Sequence, residues 1–252
     1  MNEQARQHAA LFEAARVIRD RLADNPNSGF VRFLYYCLVN APQSSAQLLQ
    51  DLFVLFTLGE KRNGYFVEFG ATNGMDLSNS FLLERQFSWE GILAEPARFW
   101  HDALAKNRKA NIDFRCVWKS SAEFVSFNET QMPEFSTIES FSYDDYHAPD
   151  RRFGQTYAVE TVSLNDLLQF HGAPRAIDYL SIDTEGSELD ILSQFNFDRY
   201  DVSVITVEHN YVDALRGGIH QLLSSKGYIH TCAELSRWDD WYVKPQFIGT
   251  QG

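Results

Sequence analysis

The chain has 252 residues, 44% of them hydrophobic and 14% aromatic with 20 Phe, enough for one large core or two small ones and too much for a disordered protein. A net charge of −12 argues against nucleic-acid binding, which needs a basic stripe to neutralise phosphates, and against an anionic membrane surface. Cys37, Cys116 and Cys232 lack metal or disulfide spacing, no signal-peptide core opens the chain, and the most apolar runs are too short to span a bilayer, so a soluble cytoplasmic protein is expected.

In chain order, residues 3–23 place Ala10, Leu11, Ala14, Val17, Ile18 and Leu22 on one helical stripe. The turn-rich DNPNSG at 24–29 breaks it, and residues 30–39 resume an apolar segment expected as a second helix. A third is expected through 48–58, capped by Ser44 or Ser45. Residues 1–60 thus read as an N-terminal helical extension ahead of a domain over 61–252. The extension is either a packing appendage or a lid or dimer element, which leaves a homodimer open.

From residue 65 onward, short apolar runs alternate with helical stretches, the pattern of an α/β doubly wound domain. Core strands are expected at 65–69, 91–96, 112–117, 177–182 and 202–207. Helices are expected at 76–87, 97–109, from a serine cap at Ser163, at 185–195 and at 213–226, the last weakened by Gly217 and Gly218. Residues 122–128 and 157–162 read as extended and flank a polar stretch, so an insertion is placed around 120–160. Residues 227–232 and 241–243 read as a closing antiparallel pair.

The segment YFVEFGATNG at 65–74 ends a buried strand in a tight glycine turn. Gly70 and Gly74 let a ligand lie on the main chain, and Glu68 is placed to meet an ammonium group. This reads as the cofactor loop of an S-adenosylmethionine-dependent methyltransferase; dinucleotide enzymes use a related turn, although GxGxxG is absent. Glu95, ending the next strand, is placed to accept both ribose hydroxyls, which identifies adenosine rather than the reaction. Val117 and Ser120 would border the adenine.

The fourth core strand leads into SIDTEGSE at 181–188, and the fifth into TVEHN at 206–210. Asp183, Glu208 and Asn210 there offer an oxygen set for Mg²⁺, which would hold and acidify a substrate hydroxyl, with His209 or Glu185 taking the proton. Against that stand plainer readings, in which Asp183 only binds substrate or cofactor and His209 only bonds a loop. Glu188 reads as a first-turn acid favoured by the helix dipole.

FVEFGATNG (66–74), LSNSFLLE (77–84), WEGILAEP (89–96) and DYLSIDTEGSE (178–188) follow one another in an order that resembles the FkbM family of methyltransferases; TVEHN (206–210) and WDDWYVK (238–244) fit as well. The resemblance spans about 45–244. It implies a Rossmann-like class I methyltransferase fold, doubly wound around a mostly parallel seven-stranded sheet, and methyl transfer from S-adenosylmethionine. The usual acceptors are hydroxyls of sugars or other secondary metabolites (natural products), with amide nitrogen of peptides in some relatives. Carried over, Glu68, Phe69, Gly70, Ala71, Asn73 and Gly74 form the cofactor loop with Ser78 and Asn79 behind it, Glu95 and Pro96 hold the ribose end, and Asp183 lies beside the reacting centre. The alternatives are a peptide N-methyltransferase, a non-catalytic binding protein retaining the fold, and an NAD-dependent enzyme.

Overall fold

The computed structural model describes residues 29–142 and 147–248, with Arg16, Arg19 and Asp20, which are helical. The helix expected over 3–23 otherwise lies outside the described residues. Two helices come first, α1 (Gly29–Asn40) and α2 (Gln50–Thr57). Then follow β1 (Tyr65–Phe69), α3 (Phe81–Phe87), β2 (Glu90–Ala94), α4 (His101–Asn107), β3 (Asn111–Asp113), β4 (Cys116–Trp118), β5 (Phe124–Glu129), β6 (Thr137–Ile138) and β7 (Gln155–Ser163). The chain continues with α5 (Leu164–Phe170), β8 (Ala176–Ile182), α6 (Glu188–Gln194), β9 (Asp201–Glu208), α7 (Asp213–Ser225), β10 (Ile229–Thr231), α8 (Ala233–Ser236) and β11 (Asp239–Val243). Among the described residues no helix is long and apolar enough to cross a membrane.

The central apolar runs become strands buried on both faces, as their composition requires. Seven strands form one sheet in the order β10-β11-β9-β8-β1-β2-β3. Strands β9, β8, β1, β2 and β3 are parallel, while β11 runs antiparallel to both its neighbours. The chain moves outward from β1 to β3, then returns to β8 on the other side of β1, so a crevice opens at the carboxyl ends of β1 and β8. The register levels those ends. Phe69 lies opposite both Ala94 and Ile182, and Ile182 opposite Val207. The next residue on each strand is Gly70, Glu95, Asp183 and Glu208, so four of the expected site residues leave the sheet at one edge.

The insertion is a second sheet, which the sequence reading did not foresee. Its order is β4-β7-β5-β6, with β4 parallel to β7 and the other pairs antiparallel. The strand expected at 112–117 is therefore two strands on different sheets. Arg115 turns the chain between them, donating its backbone N–H and Nε to Asp113 Oδ1 (3.0 and 2.9 Å) and Nη2 to Oδ2 (2.6 Å). Phe127, Ile138, Cys116, Trp118 and Val159 give this sheet its own small core.

Helix α2 is not peripheral. Its Leu52, Phe53, Val54 and Leu55 share one buried cluster with Leu83 of α3 and with Phe66, Leu93 and Trp241 of the sheet, and Phe53 stacks on Trp241 at 4.7 Å. Neither expected serine caps α2 from its N-cap position, which is held by Leu49. Instead Ser44 Oγ and the Ser45 N–H donate to the Asp51 carboxylate. Three other helices start later or end sooner than periodicity predicts. The first-turn acid Glu188, for example, accepts the N–H groups of Thr184 and Gly186 and holds 184–187 as a loop, so α6 begins only there. Helix α7 runs unbroken through Gly217 and Gly218, and a Cβ at Gly218 would lie 2.5 Å from Leu189 Cδ2.

Candidate active site

The strand ends open into a cavity of about 910 Å³. Gly70 sits at its floor with φ +70°, and a Cβ there would lie 2.1 Å from the carbonyl oxygen of Asp183. Glycine is thus demanded twice, by the left-handed backbone and by the closeness of β1 to β8. The turn then delivers the Thr72 N–H to Glu95 Oε2 at 2.8 Å, and the Ala97 N–H reaches Oε1 at 2.8 Å. Burial pushes the Glu95 carboxyl up to about 7 against these two bonds. Each oxygen keeps one acceptor position, the arrangement a ribose diol fits.

Phe69, Gly70, Asn79, Glu95, Pro96 and Val117 all lie on the cavity wall, as does Glu68. Ala71, Asn73, Gly74, Ser78 and Ser120 do not. Asn73 shapes the turn instead: its Oδ1 accepts the Met75 and Asp76 N–H groups. Gly74, at φ +76°, backs onto Leu104 and Arg108, where a Cβ would come within 2.6 Å of each. Ser78 donates to Glu68 from behind the wall.

Across Gly70 stand three acids. Asp183, Glu185 and Glu208 each present a carboxylate oxygen, all within 4.8 Å of one another. Burial, then the neighbouring Asp183, drives Glu208 well above the usual carboxylate range; burial also raises Asp183, which is hydrogen-bonded to Glu208. Glu185 adopts φ +60° and is clamped from three sides. Arg151 Nη2 donates to its Oε2 at 2.6 Å, Asn210 Nδ2 to the same oxygen at 2.8 Å, and Thr137 Oγ1 to its carbonyl at 2.9 Å.

This geometry extends one expectation and corrects another. Asn210 turns its amide N–H₂ to Glu185 and Glu208, so it orients the carboxylates, and Glu185 joins Asp183 and Glu208 in the oxygen set. His209, 1% exposed, points away from the cavity: its Nδ1 accepts the Tyr211 N–H at 3.1 Å and its Nε2 faces Asp240 Oδ1 at 3.6 Å. One strand position past Glu208, the alternation of side chains carries it to the other face. It therefore cannot reach a substrate in the cavity.

Asp239 escaped the sequence reading. It lies opposite Glu208 in register, lines the cavity, and accepts from Gln50 Nε2 at 2.8 Å, while burial lifts its carboxyl to about 7. Its signal was the run WDDWYV, where the expected strand was begun two residues late. The wall also takes Phe127 and Ile138 from the second sheet and Gln47 and Gln50 from the N-terminal segment.

A doubly wound sheet with an antiparallel strand between β9 and β10, a glycine turn after β1 and an acid after β2 define the class as a Rossmann-like methyltransferase fold. The family model described as the methyltransferase FkbM domain matches residues 68–229, and the chain belongs to that family. It is 28% identical over 194 residues to methyltransferase sdnD of Sordaria araneosa, a match covering 66% of this chain and 74% of that protein. Among solved structures it is similar to precorrin-6y C5,15-methyltransferase of Geobacter metallireducens GS-15, with a TM-score of 0.42, 10% identity, and coverage of 79% of this chain and 91% of that one. A fibrillarin/Nop5p complex gives a TM-score of 0.37 at 11% identity, covering 75% of this chain and 78% of the other.

Proposed function

We propose that this methyltransferase takes its methyl group from S-adenosylmethionine and delivers it to a hydroxyl oxygen of a sugar or another natural-product acceptor. The observation that carries the reading is the level register that sends Gly70, Glu95, Asp183 and Glu208 into one cavity. The residues suit the donor: the Gly70 floor has no room for a side chain, and Glu95 keeps two acceptor positions for a ribose. Pro96, Val117, Phe127 and Ile138 supply an apolar wall for a planar base. When bound, S-adenosylmethionine supplies an electrophilic methyl on a sulfonium.

The chain's own residues do the rest. Asp183 accepts a hydrogen bond from the acceptor hydroxyl, aligns it and receives its proton as the new O–C bond forms. Its carboxyl, raised by burial, is a stronger base than an exposed aspartate. Glu208 spreads the added proton through its hydrogen bond to Asp183, while Arg151 and Asn210 keep Glu185 turned toward the pair. The donor set of Asp183, Glu185 and Glu208 is all carboxylate oxygen and suits a hard divalent cation such as Mg²⁺, which would add Lewis-acid polarisation of the acceptor oxygen.

Titration calorimetry with S-adenosylmethionine and with NAD tests the donor: heat is expected with the first alone, and none with it sinks the reading. Transfer of labelled methyl to a panel of polyols tests the mechanism. Asp183→Ala should lower turnover roughly 10²–10⁴-fold, and turnover insensitive to EDTA would remove the cation.

A further inference from the structure

We infer that Arg108, acting through Ser78 and Ser80, positions Glu68 for the ammonium group at the amino-acid end of the cofactor and so governs affinity for that end alone. The inference rests on the S-adenosylmethionine reading above. Arg108 closes α4 and its guanidinium is fully buried, between the rings of Phe66 and Phe81. Nε donates to Glu84 Oε2 at 2.9 Å, Nη1 to the Gly74 carbonyl at 3.0 Å and to Ser78 Oγ at 3.1 Å, and Nη2 to Ser80 Oγ at 2.9 Å. Its nearest approach to Glu68 is 3.8 Å, from Nη1 to Oε2. The two serines bridge that gap.

Donor and acceptor chemistry leaves the bridges one polarity. A guanidinium only donates and a carboxylate only accepts. Each hydroxyl therefore receives from Arg108 and donates to Glu68 Oε2, Ser78 at 3.1 Å and Ser80 by a shorter bond. The Asn79 N–H fills one position on Oε1 at 2.8 Å. Oε2 is thus taken up by the relay, and Oε1 retains an acceptor position on a residue that lines the cavity. Every member of the relay is fixed inside a low-dielectric interior, where such networks hold one orientation. The same guanidinium secures the Gly74 carbonyl, so it ties down the far end of the glycine turn as well. Glu95 is held separately, by Thr72 and Ala97, with no hydrogen bond to the relay. The two carboxylates therefore take their hydrogen bonds from different donors, and what they share is the glycine turn, whose Gly74 bond Ser80→Ala leaves in place.

Calorimetry with two ligands separates them: S-adenosylhomocysteine carries the amino-acid portion, and 5′-methylthioadenosine lacks it. Arg108→Met should weaken the first about tenfold or more, the scale of one charge-assisted bond, and leave the second within about twofold. Arg108→Lys should recover only part of the loss, because an ammonium cannot reproduce the fork. Ser80→Ala removes one bridge and keeps the arginine; a smaller but equally selective loss is expected, and this variant carries the test if the arginine variants do not fold. Parallel weakening of both ligands would make Arg108 a scaffold residue and overturn the inference, as would unchanged binding of S-adenosylhomocysteine. If the wild-type protein binds neither ligand, the failure belongs to the S-adenosylmethionine reading instead.

Discussion

Glu95 is under opposing demands. Burial favours its neutral form and lifts it to about 7, whereas a ribose diol donating to both oxygens needs the carboxylate. The sign of the pH dependence follows. Below about 7 the folded protein carries the proton and must lose it to bind. S-adenosylhomocysteine should therefore bind more tightly as pH rises from 6 to 8, by up to tenfold per unit below the midpoint, and level off above it. Calorimetry at three pH values checks this, and Glu95→Gln should bind weakly with that slope abolished; a flat wild-type profile would place the ribose elsewhere. The same shift acts on folding in the opposite sense. Because the folded value lies above the ordinary 4.5, the unliganded protein loses stability as pH climbs from about 4.5 to about 7. Ligand that binds the ionised form then restores it.

Among the elements, α7 tests how far local propensity decides. Its two adjacent glycines counted against a helix, yet only one has a packing reason. Gly218 faces Leu189 of α6, while a Cβ at Gly217 would meet nothing within 4 Å and its backbone is ordinary helix. Gly217→Ala should therefore stabilise the protein by roughly 0.5–1 kcal/mol, read as a rise of a few degrees in Tm; a fall would mean that the exposed face of α7 has a contact partner. Element types were legible wherever apolar period decided them, as in β1, β8 and β9. The starts of α3 and α6 were not, because side chains set them. Glu68 captures the N–H of Asn79 ahead of α3, and Glu188 those of Thr184 and Gly186 ahead of α6. At the site, Glu95, Asp183 and Glu208 could be placed because each stands at the carboxyl end of a core strand. Asn210 could be placed there too, but not the direction of its amide, and Tyr211 could not be placed at all, since both take left-handed backbone (φ 45° and 58°) that composition does not announce. Arg108 and Arg151 act on the site from other elements and carry no local mark, and Asp239 is marked only by the strand it opens.

At the scale of the whole molecule, residues 1–60 read as a helical extension, either a packing appendage or a lid or dimer element, and for α2 the structure shows how it is joined to the sheet. The contacts that join it are remote in sequence: Gln50 meets Asp239 across 189 positions, and Phe53 stacks on Trp241 of the same strand, β11. No window along the chain contains both partners. Helix α2 therefore serves both as part of the core and as a brace for an acid of the cavity. Its Leu52, Phe53, Val54 and Leu55 are each 3% exposed or less. At about 1.5–3 kcal/mol for each large apolar side chain buried, the four together contribute about 6–12 kcal/mol, close to the total stability of an ordinary domain. A chain starting at Lys61 should consequently fail to fold cooperatively, showing no sharp urea transition where the full chain shows one. Phe53→Ala in the full chain should cost about 3–5 kcal/mol and keep a cooperative transition at lower denaturant. If residues 61–252 unfold with the midpoint of the full chain, α2 is an appendage after all, and Asp239 must be held without Gln50.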